Sequence, residues 1–166
     1  VMISTLHSFC IEICRKHGFR LGLGKRARLL TEGESRNFLR EISQSLPLLR
    51  LLKTSSIDPL LDDLFDIIAQ AKDAGLWPED LLAYAQKLPE DDPSRHDWFA
   101  IGEIYALWQS RSFEKGLIDF GDALLMAERL LSEFRAVRAE EQKTFDLLLV
   151  DEFQDTNKSQ YDLISM

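Results

Sequence analysis

Through most of the chain apolar residues recur every three or four positions, and near the C-terminal end they run together without a break. The first pattern predicts amphipathic helices, the second a parallel strand buried on both faces. Val1-Met2-Ile3-Ser4 reads as the end of a short buried strand, after which Ser4 or Thr5 caps a helix from about His7 to His17, ended by Gly18. Phe19 to Leu30 is a glycine-punctuated connector with extended character. Thr31-Glu32-Gly33-Glu34 has capping-box spacing and opens a helix to about Gln44. Asp58-Pro59 opens the next, in which Leu60, Leu61, Leu64, Phe65, Ile68 and Ala71 recur at helical spacing up to Gly75.

Pro78 starts a further helix, and an acidic turn at Pro89 to Pro93 leads into a long amphipathic one with Trp98, Ile101, Ile104, Tyr105 and Trp108 on one face. Those aromatics read as core rather than as a stacking platform. Another helix begins near Asp119 and continues through Leu131. The period then changes at Phe145 to Val150, the expected strand, and Asp155-Thr156-Asn157 caps a last helix still in progress at Met166. The expected fold class is mostly α with a small α/β part. The middle, about residues 30 to 116, is self-contained and helical, and both flanks look like pieces of an α/β layer cut from a larger domain.

Composition narrows this picture. Of 166 residues, 45% are hydrophobic and 29% charged, the balance of a globular chain rather than a disordered one. A net charge of −8 argues against coating nucleic acid by bulk electrostatics, so any contact with it is local. Cys10 and Cys14 lie one helical turn apart, as neighbouring free thiols would in a reducing cytoplasm. Val1 to Cys14 lacks the positive leader and cleavage site of a signal peptide, and no apolar run is long enough to span a membrane. The expectation is a soluble, cytoplasmic protein.

The sharpest chemical signal is Leu147-Leu148-Leu149-Val150-Asp151-Glu152. In open α/β sheets ligands bind at the C-terminal ends of strands. A first carboxylate fixed there suits nucleotide-bound magnesium, which takes few protein oxygens. Asp151 has that position. The second, Glu152, can orient and deprotonate a water attacking the γ-phosphate. On these six residues alone, a buried strand ending in a solvated acidic turn explains the pattern as well.

The continuation Asp151-Glu152-Phe153-Gln154-Asp155-Thr156-Asn157, with Gln160 beyond it, resembles motif II of the UvrD/Rep/PcrA helicases. Thr5-Leu6-His7-Ser8-Phe9 is similar to the family's Thr-Phe-His-Ser-Phe segment, with Leu6 for Phe. Ile118-Asp119-Phe120-Gly121-Asp122-Ala123-Leu124 looks like its Leu-Asp-Phe-Asp-Asp-Leu-Leu segment, with Gly121 for the usual acid. Ile68-Ala69-Gln70-Ala71-Lys72 is a weaker echo of the helical insertion.

The resemblance implies an ATP-dependent superfamily 1 translocase, usually moving 3′ to 5′ on single-stranded DNA and opening single-strand/duplex junctions. Residues 1–29 and 117–166 would be parts of a RecA-like motor domain, and 30–116 its helical insertion. It also implies magnesium and ATP as cofactors, with Asp151 at the metal, Glu152 at the attacking water, Gln154 sensing the nucleotide, and Thr5 and His7 on the strand's phosphates. Without the family, His7 reads as a cap or core residue.

Gly18 to Arg26 imitates a phosphate loop but has five residues between its glycines where the motif has four, and Arg26 where it needs Ser or Thr. This chain alone is therefore expected not to hydrolyse ATP. It would depend on a Walker A segment and a second motor domain from the rest of a helicase chain. His7, Cys10, Cys14 and His17 line one helix face, which cannot enclose a metal tetrahedrally. Arg15, Lys16, Arg20, Lys25, Arg26 and Arg28 form a basic cluster, in which Arg26 and Arg28 are candidate phosphate contacts and an ordinary solvated face is the alternative. Two further readings stay open: the motor of a RecB/AddA-type helicase-nuclease, and a non-catalytic helical interaction module.

Overall fold

The computed structural model describes residues 3–24, 27–45, 57–156 and 158–166, with the backbone alone at 155, 158 and 159. Helix α1 (Leu6–His17) begins where Thr5 accepts a hydrogen bond from the Ser8 amide at 3.2 Å. Its end is marked by Gly18, whose amide bonds to Cys14. A 3₁₀ turn at Gly18–Leu21 leads on to strand β1 (Arg28–Leu29). Helix α2 (Glu32–Ile42) carries the expected capping box: Thr31 accepts from the Glu34 amide, and Glu34 accepts from the Thr31 amide at 2.8 Å.

Helix α3 (Ile57–Asp73) starts one residue before the predicted cap, and Gly75 closes it at φ +77°. The amides of Gly75 and Leu76 bond back to the carbonyls of Lys72 and Ala71, a Schellman ending that needs glycine's freedom. Helices α4 (Pro78–Lys87) and α5 (Arg95–Glu114) then pack closely, because a Cβ at Gly102 would stand 2.8 Å from Leu82 Cδ2. Strand β2 (Leu117–Ile118) pairs parallel with β1, Arg28 opposite Leu117 and Leu29 opposite Ile118. Parallel pairing demands a long crossover, and here the crossover is the whole helical stretch between the strands. Helices α6 (Phe120–Glu133), α7 (Arg135–Gln142) and α8 (Lys158–Ile164) complete the order.

Two apolar cores result. One joins Leu39, Leu64, Phe65, Ile68, Ile104 and Trp108 from α2, α3 and α5, with Leu81 of α4. The other joins Cys10, Ile13 and Cys14 of α1 to Met126 and Leu130 of α6, Val137 of α7 and Leu163 of α8. The predicted aromatic face of α5 is buried at Tyr105 and Trp108, and Tyr105 donates its hydroxyl to the Leu76 carbonyl at 3.2 Å. Helix α7 has no counterpart in the sequence pattern, since Val137 is its one branched apolar residue.

Two expectations are corrected. Phe145 to Val150 forms no strand, and Leu147 and Leu149 are 73% and 83% exposed. An apolar run encodes a preference for burial, but a strand exists only through hydrogen bonds to neighbours, and among the described residues the one ladder is β1 with β2. For the same reason Ile3 is exposed and extended rather than part of a buried strand, while Val1 and Met2 lie outside the described residues. The last helix ends at Ile164 rather than running on to Met166. Among the described residues no helix is long and apolar enough to cross a membrane.

Candidate functional site

The acidic pair stands on the exposed segment that follows the apolar run. Asp151 Oδ1 accepts the Glu152 amide at 2.9 Å, and Gln154 donates its side-chain amide to the Glu152 carboxylate. The three side chains predicted to act on nucleotide therefore form one hydrogen-bonded chain. Glu152 has φ +50°, the positive-φ non-glycine among the described residues. A bulky residue in the left-handed region is costly by about 1–3 kcal/mol and is found mainly where function requires it. A 3₁₀ turn at Phe153–Asp155 follows, and the Phe153 ring meets Tyr161 of α8 at 6.0 Å. Hard carboxylate oxygens on an accessible loop fit a magnesium ion that keeps most of its waters.

A second group lies at the start of α1. Thr5 is spent on capping, shared between the Ser8 amide and the Ser8 hydroxyl at 2.9 Å. His7 sets its ring edge to face with Phe120 of α6, centroids 5.3 Å apart. Phe9, half a turn further on, meets Phe145 at 5.8 Å, which ties α1 to the segment leading to Asp151. Arg28 is paired with Glu34 at 2.8 Å, and Arg26 lies outside the described residues. Hydrogen bonds from Thr31 and Arg28 hold the Glu34 carboxyl down to about 2. The rest of the basic cluster is similarly engaged: Arg15 with Glu12, Lys16 with Glu141, and Arg20 over the rings of Phe19 and Phe134.

The four side chains weighed as a zinc quartet turn to different partners. Cys14 Sγ donates to the Ala123 carbonyl, and burial pushes the Cys10 thiol up to about 12. His17 meets Glu141 Oε1 at 3.2 Å, and the Lys16 ammonium reaches the same oxygen at 3.2 Å. This is an ion-pair network closing α1 onto α7, with a cation already where a metal would sit.

Sequence reasoning missed the most buried charge cluster. Lys72, 4% exposed on α3, places Nζ 2.7 Å from Asp119 Oδ2 and 2.8 Å from Asp122 Oδ1 at the start of α6. Its ammonium also lies 4.7 Å from the Trp108 ring centroid. Burial opposes the charge on Lys72, but the two carboxylates together hold it above its ordinary range. Burial also pushes Asp119 up, and the Lys72 charge outweighs it and keeps that carboxyl low. Asp122 is pushed up to about 6 by burial and by Asp119. The available signal was a lysine four residues after Ile68 on the apolar face of α3, and an Asp-x-x-Asp cap in the partner helix.

A helical layer carried between two parallel strands, with an acidic loop beyond it, is the arrangement in hand when known proteins are compared. The chain belongs to the UvrD/REP helicase N-terminal domain family, which matches it over residues 1–166. It is 26% identical to the ATP-dependent DNA helicase PcrA of Leuconostoc citreum, covering 100% of this chain and 20% of that protein. It is 31% identical to the ATP-dependent DNA helicase Rep of Buchnera aphidicola, covering 100% of this chain and 23% of the relative. DNA helicase II of Haemophilus influenzae is 31% identical, with 99% and 20% covered. The chain thus spans about a fifth of the length of these relatives.

Proposed function

We propose that this chain is part of the first motor domain of an ATP-dependent DNA helicase moving 3′ to 5′ on single-stranded DNA. The observation that carries the reading is the exposed Asp151-Glu152-Gln154 chain, held by hydrogen bonds with Glu152 at positive φ. Residues 30–116 act as the helical insertion, and 1–29 with 117–166 as motor-domain parts, consistent with the separate apolar cores. The bare run Leu147 to Val150 docks as a strand against the sheet of the whole motor, which supplies the phosphate-cradling loop and the second motor domain.

In that assembly Asp151 holds magnesium bound with ATP. The ion supplies charge neutralisation at the phosphates. Glu152 takes a proton from the attacking water, and Gln154, bonded to Glu152, reports the nucleotide state to the DNA track. Thr5 and His7 contact strand phosphates at the start of α1, where amides and the helix dipole favour anions. Arg28 must leave Glu34 to join them, so most of the contact falls on His7 and Thr5, with Arg26 beside them. Replacing Thr5 and His7 by alanine in the whole motor is expected to weaken binding to an oligo(dT) strand by about tenfold, for charge-assisted hydrogen bonds lost. Fluorescence anisotropy measures it, and unchanged affinity removes these residues from the track.

A further inference from the structure

We propose that Lys72 is a positioning residue for DNA binding: its ammonium clamps α3 to the first turn of α6 and thereby fixes Phe120 and the His7 ring on the strand track. The proposal rests on the reading of His7 as a DNA contact.

Three observations converge on it. Lys72 reaches across from α3 to both acids of the α6 cap, at 2.7 and 2.8 Å. Those acids are themselves the capping box of α6: Asp119 accepts the Asp122 amide at 2.8 Å, and Asp122 accepts the Asp119 amide at 3.2 Å. The lysine therefore holds the two side chains that fix the backbone on either side of Phe120. Phe120, half exposed, is the residue against which the His7 ring stands at an interplanar angle of 89°. It also edges a cleft of about 430 Å³ between α3 and α6 that Lys72, Trp108 and Asp119 line.

Gly121 completes the fit. A Cβ there would lie 2.9 Å from Lys72 Cδ and 3.0 Å from its Cβ, so the lysine stem occupies the space that a side chain at 121 would fill. Lys72 also lies over the Trp108 and Tyr105 rings, within the apolar core of the helical layer. The path from that layer to His7 is thus short and contiguous: Lys72, the α6 cap, Phe120, His7.

The test uses the whole motor and an oligo(dT) strand. The triple variant Lys72→Met, Asp119→Asn, Asp122→Asn removes the ionic clamp without stranding a buried charge, and keeps residues able to cap α6. It is expected to keep its melting behaviour and to bind DNA about tenfold more weakly. Combined with His7→Ala, it should bind no more weakly than His7→Ala alone, since both changes remove the same contact. Parental DNA affinity in the triple variant, or penalties that add in full, would overturn the proposal. If the triple variant does not fold, Gly121→Ala decides: it leaves every charge in place and crowds the Lys72 stem. A loss of about threefold that vanishes in a His7→Ala background is expected, and no loss overturns the clamp. If His7→Ala leaves affinity unchanged, the DNA-track reading itself has failed. The clamp then stands or falls on the His7 ring-proton shift, which Phe120 displaces. That shift moves in the triple or Gly121→Ala variant if Lys72 positions the ring, and stays put if it does not.

Discussion

Glu152→Gln in the whole motor is expected to lower DNA-stimulated ATP turnover by about a hundredfold or more, the range for removing a general base. Single-stranded DNA binding should persist. Glutamine is isosteric and can keep the link to Gln154, but it cannot accept a proton. The loss therefore reports chemistry rather than a collapsed loop. Steady-state turnover against oligo(dT) measures the first quantity and anisotropy the second. Turnover close to the parent's would mean that another group takes the water's proton.

The second large effect is on stability. Lys72→Met alone leaves Asp119 and Asp122 facing each other without their cation, and breaking a buried pair in this way costs about 3–5 kcal/mol. The sign of its pH dependence follows from the carboxyls. With Lys72 present, Asp119 is held low and contributes stability that is lost as pH falls through the ordinary carboxylate range. Asp122, pushed up to about 6, works oppositely, and regains stability as pH falls through that value. Without Lys72 both carboxyls rise, so the folded state binds protons more tightly than the unfolded one. The loss should be greatest near pH 8 and shrink towards pH 5, as thermal unfolding across that range will record. A loss independent of pH would mean that the lysine matters for its stem and not its charge.

Particular residues explain what could be read from the chain alone. Thr31 and Glu34 lie three residues apart, and their capping box is a local fact that spacing alone can predict. The same holds for Pro78 at the start of α4 and for the buried face of α5. Asp151, Glu152 and Gln154 were legible because their partners are each other. Lys72 and Asp119 are 47 residues apart, and no local period relates them. Helix α7 was invisible because it is held by Val137 and by Glu141 reaching His17 and Lys16, not by an apolar stripe. Leu147 to Val150 misled for the converse reason: the pattern recorded a burial whose partners are not among the described residues.

Manganese binding in the presence of ATP, followed by electron paramagnetic resonance on the whole motor, tests the division of labour between the two acids without requiring turnover. Asp151→Asn should weaken manganese–ATP binding by about tenfold or more, as loss of a charged metal ligand implies, and Glu152→Gln should leave it near the parental value. Parental affinity in Asp151→Asn, or an equal loss in both variants, would contradict the assignment of the metal to Asp151 and of the water to Glu152.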